Sequence, residues 1–137
     1  MLTLTPEQRD AMVACCVRAL PDEGCGLLLG SLDGVVGEVV PAVNVAHSAK
    51  LYEIDSKDLL RAARHADDTA AQIVGVFHSH THSDAYPSPT DVRQAPDPAW
   101  HYVIVSLRLT PVVVRSYVLA DGVITEEKVQ LTSGAAR

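Results

Sequence analysis

Residues 73–91 read IVGVFHSHTHSDAYPSPTD, and the fold turns on the change of character inside this stretch. Ile73 to Phe77 is an apolar, β-branched run too short for a helix, so it reads as a central strand. Its end carries His78, His80, His82 and Asp84 on alternating positions, and a Ser88-Pro89-Thr90-Asp91 turn follows. In a strand, alternate side chains point the same way. His78 and His80 can therefore face one side, and two such imidazoles can grip one tetrahedral metal ion. Asp91 is the candidate third ligand, because the turn brings the chain round into a helix start. The same turn has a plainer reading. Ser-Pro-x-Asp is a capping box, with Ser88 as the cap, Pro89 at the first helical position and Asp91 at the third. Taken alone, the turn is better explained as a cap.

Outward from this block, the chain alternates between helix and strand patterns. Thr5, Pro6 and Gln8 form a helix start, and that helix runs to about Leu20, before Pro21. Gly24 to Gly30 (GCGLLLG) is an apolar run between glycines and reads as a buried strand, with Glu23 at its mouth. Val35 to Val45 reads as a second strand. Asp55 to about Ala70 looks helical, with Leu59, Leu60 and Ala63 as its apolar stripe. Downstream, Pro89 to about Ala95 is a short helix. His101 to Leu107 and Val112 to Leu119 are strands. Asp121-Gly122 is a hairpin turn leading into a last strand, Val123 to Leu131. Strands outnumber helices and several are consecutive, so the expected fold is α+β, with a mixed, partly antiparallel sheet flanked by helices.

The chain has 137 residues, which predicts one domain over 1–131 and a loose tail over 132–137. A domain of this size buries roughly 68% of the surface of its unfolded chain, so it needs no metal merely to fold, and a metal here serves chemistry. The net charge of −6 comes without a basic cluster, which argues against a nucleic-acid backbone or an anionic membrane surface as partner. The first residues carry no signal-peptide pattern, and no apolar run nears the roughly 20 residues of a membrane helix. Three cysteines, two of them adjacent, make no disulfide framework, and the expected location is the cytoplasm. Cys25 invites a nucleophile reading, but a small buried strand residue is the simpler one. His47 and His65 show no partner in the sequence, and His101 reads as structural. Tyr52 and Tyr86 flank the site loops and are candidates to line a groove.

Glu23, His78-Ser79-His80, Ser88 and Asp91, with seven residues between the second histidine and the serine and two between the serine and the aspartate, resemble the motif of the JAMM (MPN+) zinc metallopeptidases. The order of elements agrees over roughly residues 3–130. The resemblance implies a single domain of the cytidine-deaminase-like, JAMM/MPN type. It also implies one Zn²⁺ per chain held by His78, His80 and Asp91, with the fourth position open for water. Glu23 would act as general base and then general acid, and Ser88 would donate to the developing oxyanion. One departure stands out: many members of the family have Pro after the second histidine, where this chain has Thr81 and then His82, whose expected place is solvent. The segments PDEGCG, AYPSPTDV, HYVIVSL and RSYVLADGVITEE resemble an actinobacterial branch that removes cysteine from the C-terminus of a ubiquitin-like sulfur carrier. The implied substrate is thus such a carrier's C-terminal tail, in cysteine biosynthesis, and a homodimer is left open. The alternatives are a hydrolase of another isopeptide or small amide on the same fold, and a non-catalytic MPN-type binding module. Histidine-rich phosphoesterases and metallo-β-lactamase-like enzymes spread their ligands over longer chains, and a β/α barrel needs about 250 residues.

Overall fold

The computed structural model describes residues 1–132. Eight strands and three helices run in the order β1 (Leu2–Leu4), α1 (Pro6–Ala19), β2 (Cys25–Gly30), β3 (Val36–Ala42), α2 (Ser56–Asp68), β4 (Gln72–His80), α3 (Pro89–Arg93), β5 (His101–Ser106), β6 (Val113–Ala120), β7 (Val123–Glu127) and β8 (Val129–Leu131). Six strands form one sheet in the order β3-β2-β4-β5-β6-β7, and β1 pairs with β8 apart from it. Only the β4–β5 pairing in the six-stranded sheet is parallel. This is the mixed α+β architecture expected from the sequence.

The sheet separates two apolar clusters. One face packs Leu28, Phe77, Val103 and Val105 against α1 residues Met12 and Cys16 and against Leu2 and Leu4. The other packs Leu27, Val76, Ile104 and Tyr117 against α2 residues Ala62 and Ala66, with Val92 of α3 beside them. Ile73 and Val76 pack on the second face and Val74 and Phe77 on the first, the alternation being broken where the β2–β4 register shifts, and from Val76 onward His78 and His80 follow onto the side of α2 and α3. Register places Cys25 opposite His78 on one neighbour, and Ile104 opposite His78 with Ser106 opposite His80 on the other.

The helix starts are as the sequence predicts. Thr5 and Gln8 form a capping box for α1, and Asp55 caps α2 by accepting the Lys57 N–H. Several expectations need correction. β4 extends through His80, so both histidines lie within the strand rather than beyond it. The strand expected over Val35–Val45 ends at Ala42, because Pro41 and the chain's turn toward α2 leave Val43 and Val45 outside the ladder. The apolar stripe of α2 is also different: Asp58, Ala62 and Ala66 are buried, whereas Leu59 and Leu60 are exposed. Small alanines let α2 approach the sheet closely, and Asp58 is buried because its carboxylate accepts the Val43 N–H and pairs with Arg61. The last expected strand divides at Lys128. Its second part pairs with Leu2–Leu4, a strand too short to show a period in the sequence. Asp121 and Gly122 both take positive φ, as the tight hairpin between β6 and β7 requires. Of the expected tail, Thr132 donates its N–H to the Leu4 carbonyl, and 133–137 lie outside the described residues. None of the helices described is long and apolar enough to cross a membrane.

Candidate metal centre

Three side chains meet where β4 ends and α3 begins. His78 and His80 project from β4 onto the α3 side, and Asp91 sits in the first turn of α3. His78 Nε2 lies 3.3 Å from His80 Nε2 and 3.3 Å from Asp91 Oδ2. His80 Nε2 lies 3.2 Å from the same oxygen. His80 Nδ1 is 2.7 Å from the Asp84 carbonyl oxygen. That oxygen can only accept, so Nδ1 carries the proton and Nε2 turns its lone pair inward. The Asp91 carboxylate is also an acceptor. Three atoms able to ligate a metal, His78 Nε2, His80 Nε2 and Asp91 Oδ2, thus converge on one point.

The spacing fits a metal ion. Ligands at roughly 2.0–2.1 Å from a tetrahedral ion are separated by about 3.3–3.4 Å, close to the nearly equilateral triangle of 3.2, 3.3 and 3.3 Å seen here. His78 is deeply buried, and its Nδ1 has no hydrogen-bond partner among the described residues. Tyr52 stacks on its ring, with centroids 4.3 Å apart and planes 18° from parallel. Burial pushes the His78 imidazole below its ordinary range, keeping it neutral as a ligand must be. Burial opposes ionisation of Asp91 too, but the two imidazoles against it and the Ser88 N–H hold that carboxyl far below the usual range.

Ser88 is both a cap and a neighbour of this group. Its Oγ accepts the Asp91 N–H at 3.0 Å, and Asp91 Oδ2 accepts the Ser88 N–H at 2.9 Å. The capping box expected from the sequence is complete. Because the serine oxygen uses a lone pair there, its own proton stays free to donate.

Glu23 precedes β2 and is 3% exposed. Its neighbour Gly24 is laced to the segment between the two histidines: the Gly24 N–H donates to Ser79 Oγ at 2.8 Å, and the Ser79 N–H donates to the Gly24 carbonyl at 3.0 Å. Burial pushes the Glu23 carboxyl up to about 8, with the His80 ring opposing and the Asp91 carboxylate adding. Its Oε1 has no hydrogen-bond partner among the described residues. A buried carboxyl left unpaired beside a cluster of ligands is costly unless the site uses it.

The remaining candidates separate from this group. His82 is exposed, with its Nδ1 2.8 Å from Thr81 Oγ1. His65 pairs with Glu38 across the surface, and His101 pairs with Glu127 at 2.6 Å. Cys25 is fully buried, and burial pushes its thiol up to about 12, so it offers no nucleophilic thiolate near neutral pH. Tyr86 stands edge-on against Tyr117, with ring centroids 5.7 Å apart. Two contributors escape the sequence reading. Ser79, between the two histidines in β4, points to the opposite face and anchors Gly24 by accepting its N–H. Asn44, a polar residue between two valines, is buried and ties several loops together; a buried amide inside an apparent strand run is the one signal that could have flagged it. An apolar cavity of about 220 Å³ adjoins Asp91, lined by Leu27, Leu51, Tyr52, Val76 and Trp100 among others.

Comparisons with known proteins point to one family. The Prok-JAB family, described as prokaryotic homologues of the JAB domain, matches residues 5–120. The chain is 39% identical over 133 residues to the CysO-cysteine peptidase of Mycobacterium tuberculosis, covering 96% of this chain and 91% of that protein. It is 32% identical over 111 residues to a desampylase of Haloferax volcanii, covering 77% and 80% of the two chains. Among solved structures, a protein from Desulfitobacterium hafniense superposes with a TM-score of 0.89 at 35% identity, covering 96% of this chain and 93% of that one. A JAB1/MPN domain protein from Archaeoglobus fulgidus shares the fold, with a TM-score of 0.63 at 16% identity over 96% and 97% of the two chains. By match length and by relatedness, this chain belongs to the Prok-JAB family of JAB/MPN-domain proteins.

Proposed function

We propose that this chain is a zinc-dependent peptidase that hydrolyses an amide at the C-terminus of a ubiquitin-like sulfur-carrier protein and releases cysteine. The observation that carries the reading is the near-equilateral triangle of His78 Nε2, His80 Nε2 and Asp91 Oδ2, next to a buried carboxyl with an unpaired oxygen. Two imidazoles and one carboxylate at tetrahedral spacing suit zinc and match the donor sets of catalytic sites with an open position. When bound, zinc supplies Lewis acidity that polarises an amide carbonyl and brings the pKa of water toward about 7.

The chain's own groups account for the rest. Glu23 Oε1 takes a proton from the attacking water and returns it to the departing amide nitrogen. A carboxyl raised by burial is suited to both steps, because it binds and releases a proton near neutral pH. Ser88 turns its free hydroxyl proton toward the oxygen on which charge develops. Tyr52 covers His78 and limits access of bulk water from that side. The apolar cavity beside Asp91 gives an extended tail a dry wall to lie against, which suits a substrate whose end is a flexible strand. Residues 1–131 act as one catalytic domain in this reading, and three buried free cysteines suit a reducing cytoplasm.

The substrate is favoured by the relatives: peptidase and desampylase names attach to proteins 39% and 32% identical to this one. The deciding experiment incubates the zinc-loaded protein with a sulfur carrier bearing an extra C-terminal cysteine, and follows intact mass beside a Glu23→Ala control. Loss of one cysteine residue with the unmodified protein alone is the expected result. No cleavage with one zinc bound per chain would discard the substrate, and no cleavage with no zinc bound would leave a binding module.

A further inference from the structure

Asn44 makes four hydrogen bonds with one side chain. Its Nδ2 donates to the Glu23 carbonyl at 3.0 Å and to the Leu51 carbonyl at 3.0 Å. Its Oδ1 accepts the Ala46 N–H at 3.0 Å and the Glu53 N–H at 3.0 Å. Two carbonyls on one side and two N–H groups on the other admit only one orientation of the amide. Asn44 is 8% exposed, so these bonds are made away from water, where leaving a donor unpaired costs most.

The partners belong to two parts of the proposed machinery. Glu23 is the proposed base. Leu51 and Glu53 flank Tyr52, the residue stacked on His78. Between Asn44 and Ile54 the chain forms a flap closed by an isolated antiparallel bridge. Glu23 is held by this flap through both of its backbone groups: its N–H donates to the Ser48 carbonyl at 2.8 Å, and its carbonyl accepts from Asn44. The flap tip is pinned further where Thr81 Oγ1 donates to the Ala49 carbonyl at 3.1 Å. Among the described residues, Asn44 is the one side chain that bonds both to Glu23 and to the two neighbours of Tyr52.

We infer that Asn44 is a positioning residue: it sets the proposed base Glu23 and the Tyr52 lid on His78 in one fixed relation. This rests on the metallopeptidase reading. Asn44 touches no reacting atom, so its loss lowers the rate of the chemical step through Glu23 and leaves substrate affinity and metal content in place. Displacement of a catalytic group by about 1 Å can cost on the order of 10²-fold.

The test uses the full chain with zinc bound and two substitutions. Asn44→Ala removes all four bonds. Asn44→Asp keeps the two acceptor bonds to Ala46 and Glu53 and sets an oxygen against the Glu23 and Leu51 carbonyls. We expect kcat to fall about 10- to 100-fold in both, with KM within about threefold and one metal per chain retained. In a Glu23→Asp background, where the carboxyl is already displaced by one methylene, we expect adding Asn44→Ala to slow turnover by less than about threefold. Losses that multiply in the double variant, a rise in KM alone, or loss of the metal would overturn the positioning role. Normal turnover by Glu23→Asp and by Glu23→Ala would instead remove the base assignment, and with it this inference. A readout independent of turnover is the ring current of Tyr52 on the His78 ring protons, with Tyr52→Leu giving the unstacked reference. Both Asn44 variants should move those resonances toward the reference, and unchanged resonances would refute the claim. If Asn44→Ala does not fold, Asn44→Asp decides alone.

Discussion

Ser88 shows how one residue serves two purposes without conflict. Its oxygen caps α3 by accepting the Asp91 N–H, and this leaves the hydroxyl proton unused. We expect Ser88→Ala to keep its metal but lose about 10²–10³ in kcat, the usual cost of one oxyanion donor. Ser88→Thr should keep most of the activity, because the hydroxyl remains. Metal content and turnover measured on the same samples check both. If Ser88→Ala turns over normally, the serine is a cap only. Glu23→Gln should bind metal as the parent does and lose on the order of 10²–10⁴ in rate, since the amide cannot take the proton. At this scale the sequence is informative where the chemistry needs several residue types in fixed order. His78, His80, Ser88 and Asp91 form one readable block, and the structure brings the two histidines and the aspartate together with Ser88 capping α3 beside them. Asn44 and Tyr52 were not readable in the same way, because their roles come from hydrogen bonding and stacking between segments far apart in the chain.

At the level of elements, the helix starts were legible because caps are local. Thr5 with Gln8 and Ser88 with Asp91 satisfy backbone N–H groups only three residues away. The face of a helix that meets the core is set by its neighbours. Leu59 and Leu60 looked like the buried stripe of α2, yet the helix approaches the sheet on Ala62 and Ala66. The close seat of α1 has a similar cause at Gly24. A Cβ there would lie 2.7 Å from the Cys16 Cα, which is backbone and cannot rotate away. We expect Gly24→Ala to cost about 1–3 kcal/mol by overpacking. It should also lower kcat, because α1 and β2 must part next to Glu23. Thermal denaturation and turnover, measured together, check this; an unchanged Tm would mean that α1 shifts freely.

For the molecule as a whole, the candidate metal group stands outside the two apolar clusters of the core. Two apolar clusters on opposite faces of the sheet hold the chain without drawing on Asp91 or the histidines. Chelation should therefore lower Tm but leave the sheet's circular dichroism in place. The stabilisation lost is about 4 kcal/mol when metal stands at a thousand times its Kd; collapse of the sheet signal on chelation would contradict this account. Acid should act elsewhere as well. Glu127 joins three strands by accepting from His101 at 2.6 Å and from Ser116 Oγ at 2.7 Å. Burial works against its charge, but those bonds hold its carboxyl down, from 4.5 to about 2. A folded-state pKa below the unfolded one gives stability that is complete above the unfolded value. That stability is lost as pH falls, here between about 4.5 and about 2. We expect Glu127→Gln to flatten the loss of stability in this window, as read from urea midpoints at successive pH values. Equal slopes in parent and variant would place the acid sensitivity at other carboxylates. By itself, the sequence determined the α+β class, the central strand and the ligand block, because period, caps and motif spacing are properties of short segments. Only the tertiary structure decided which strands pair, which face α2 buries, where β1 and β8 meet, and that Asn44 joins Glu23 to the flap over His78. These are contacts between residues distant in sequence, and they are selected by packing and by the need to pair buried backbone polar groups.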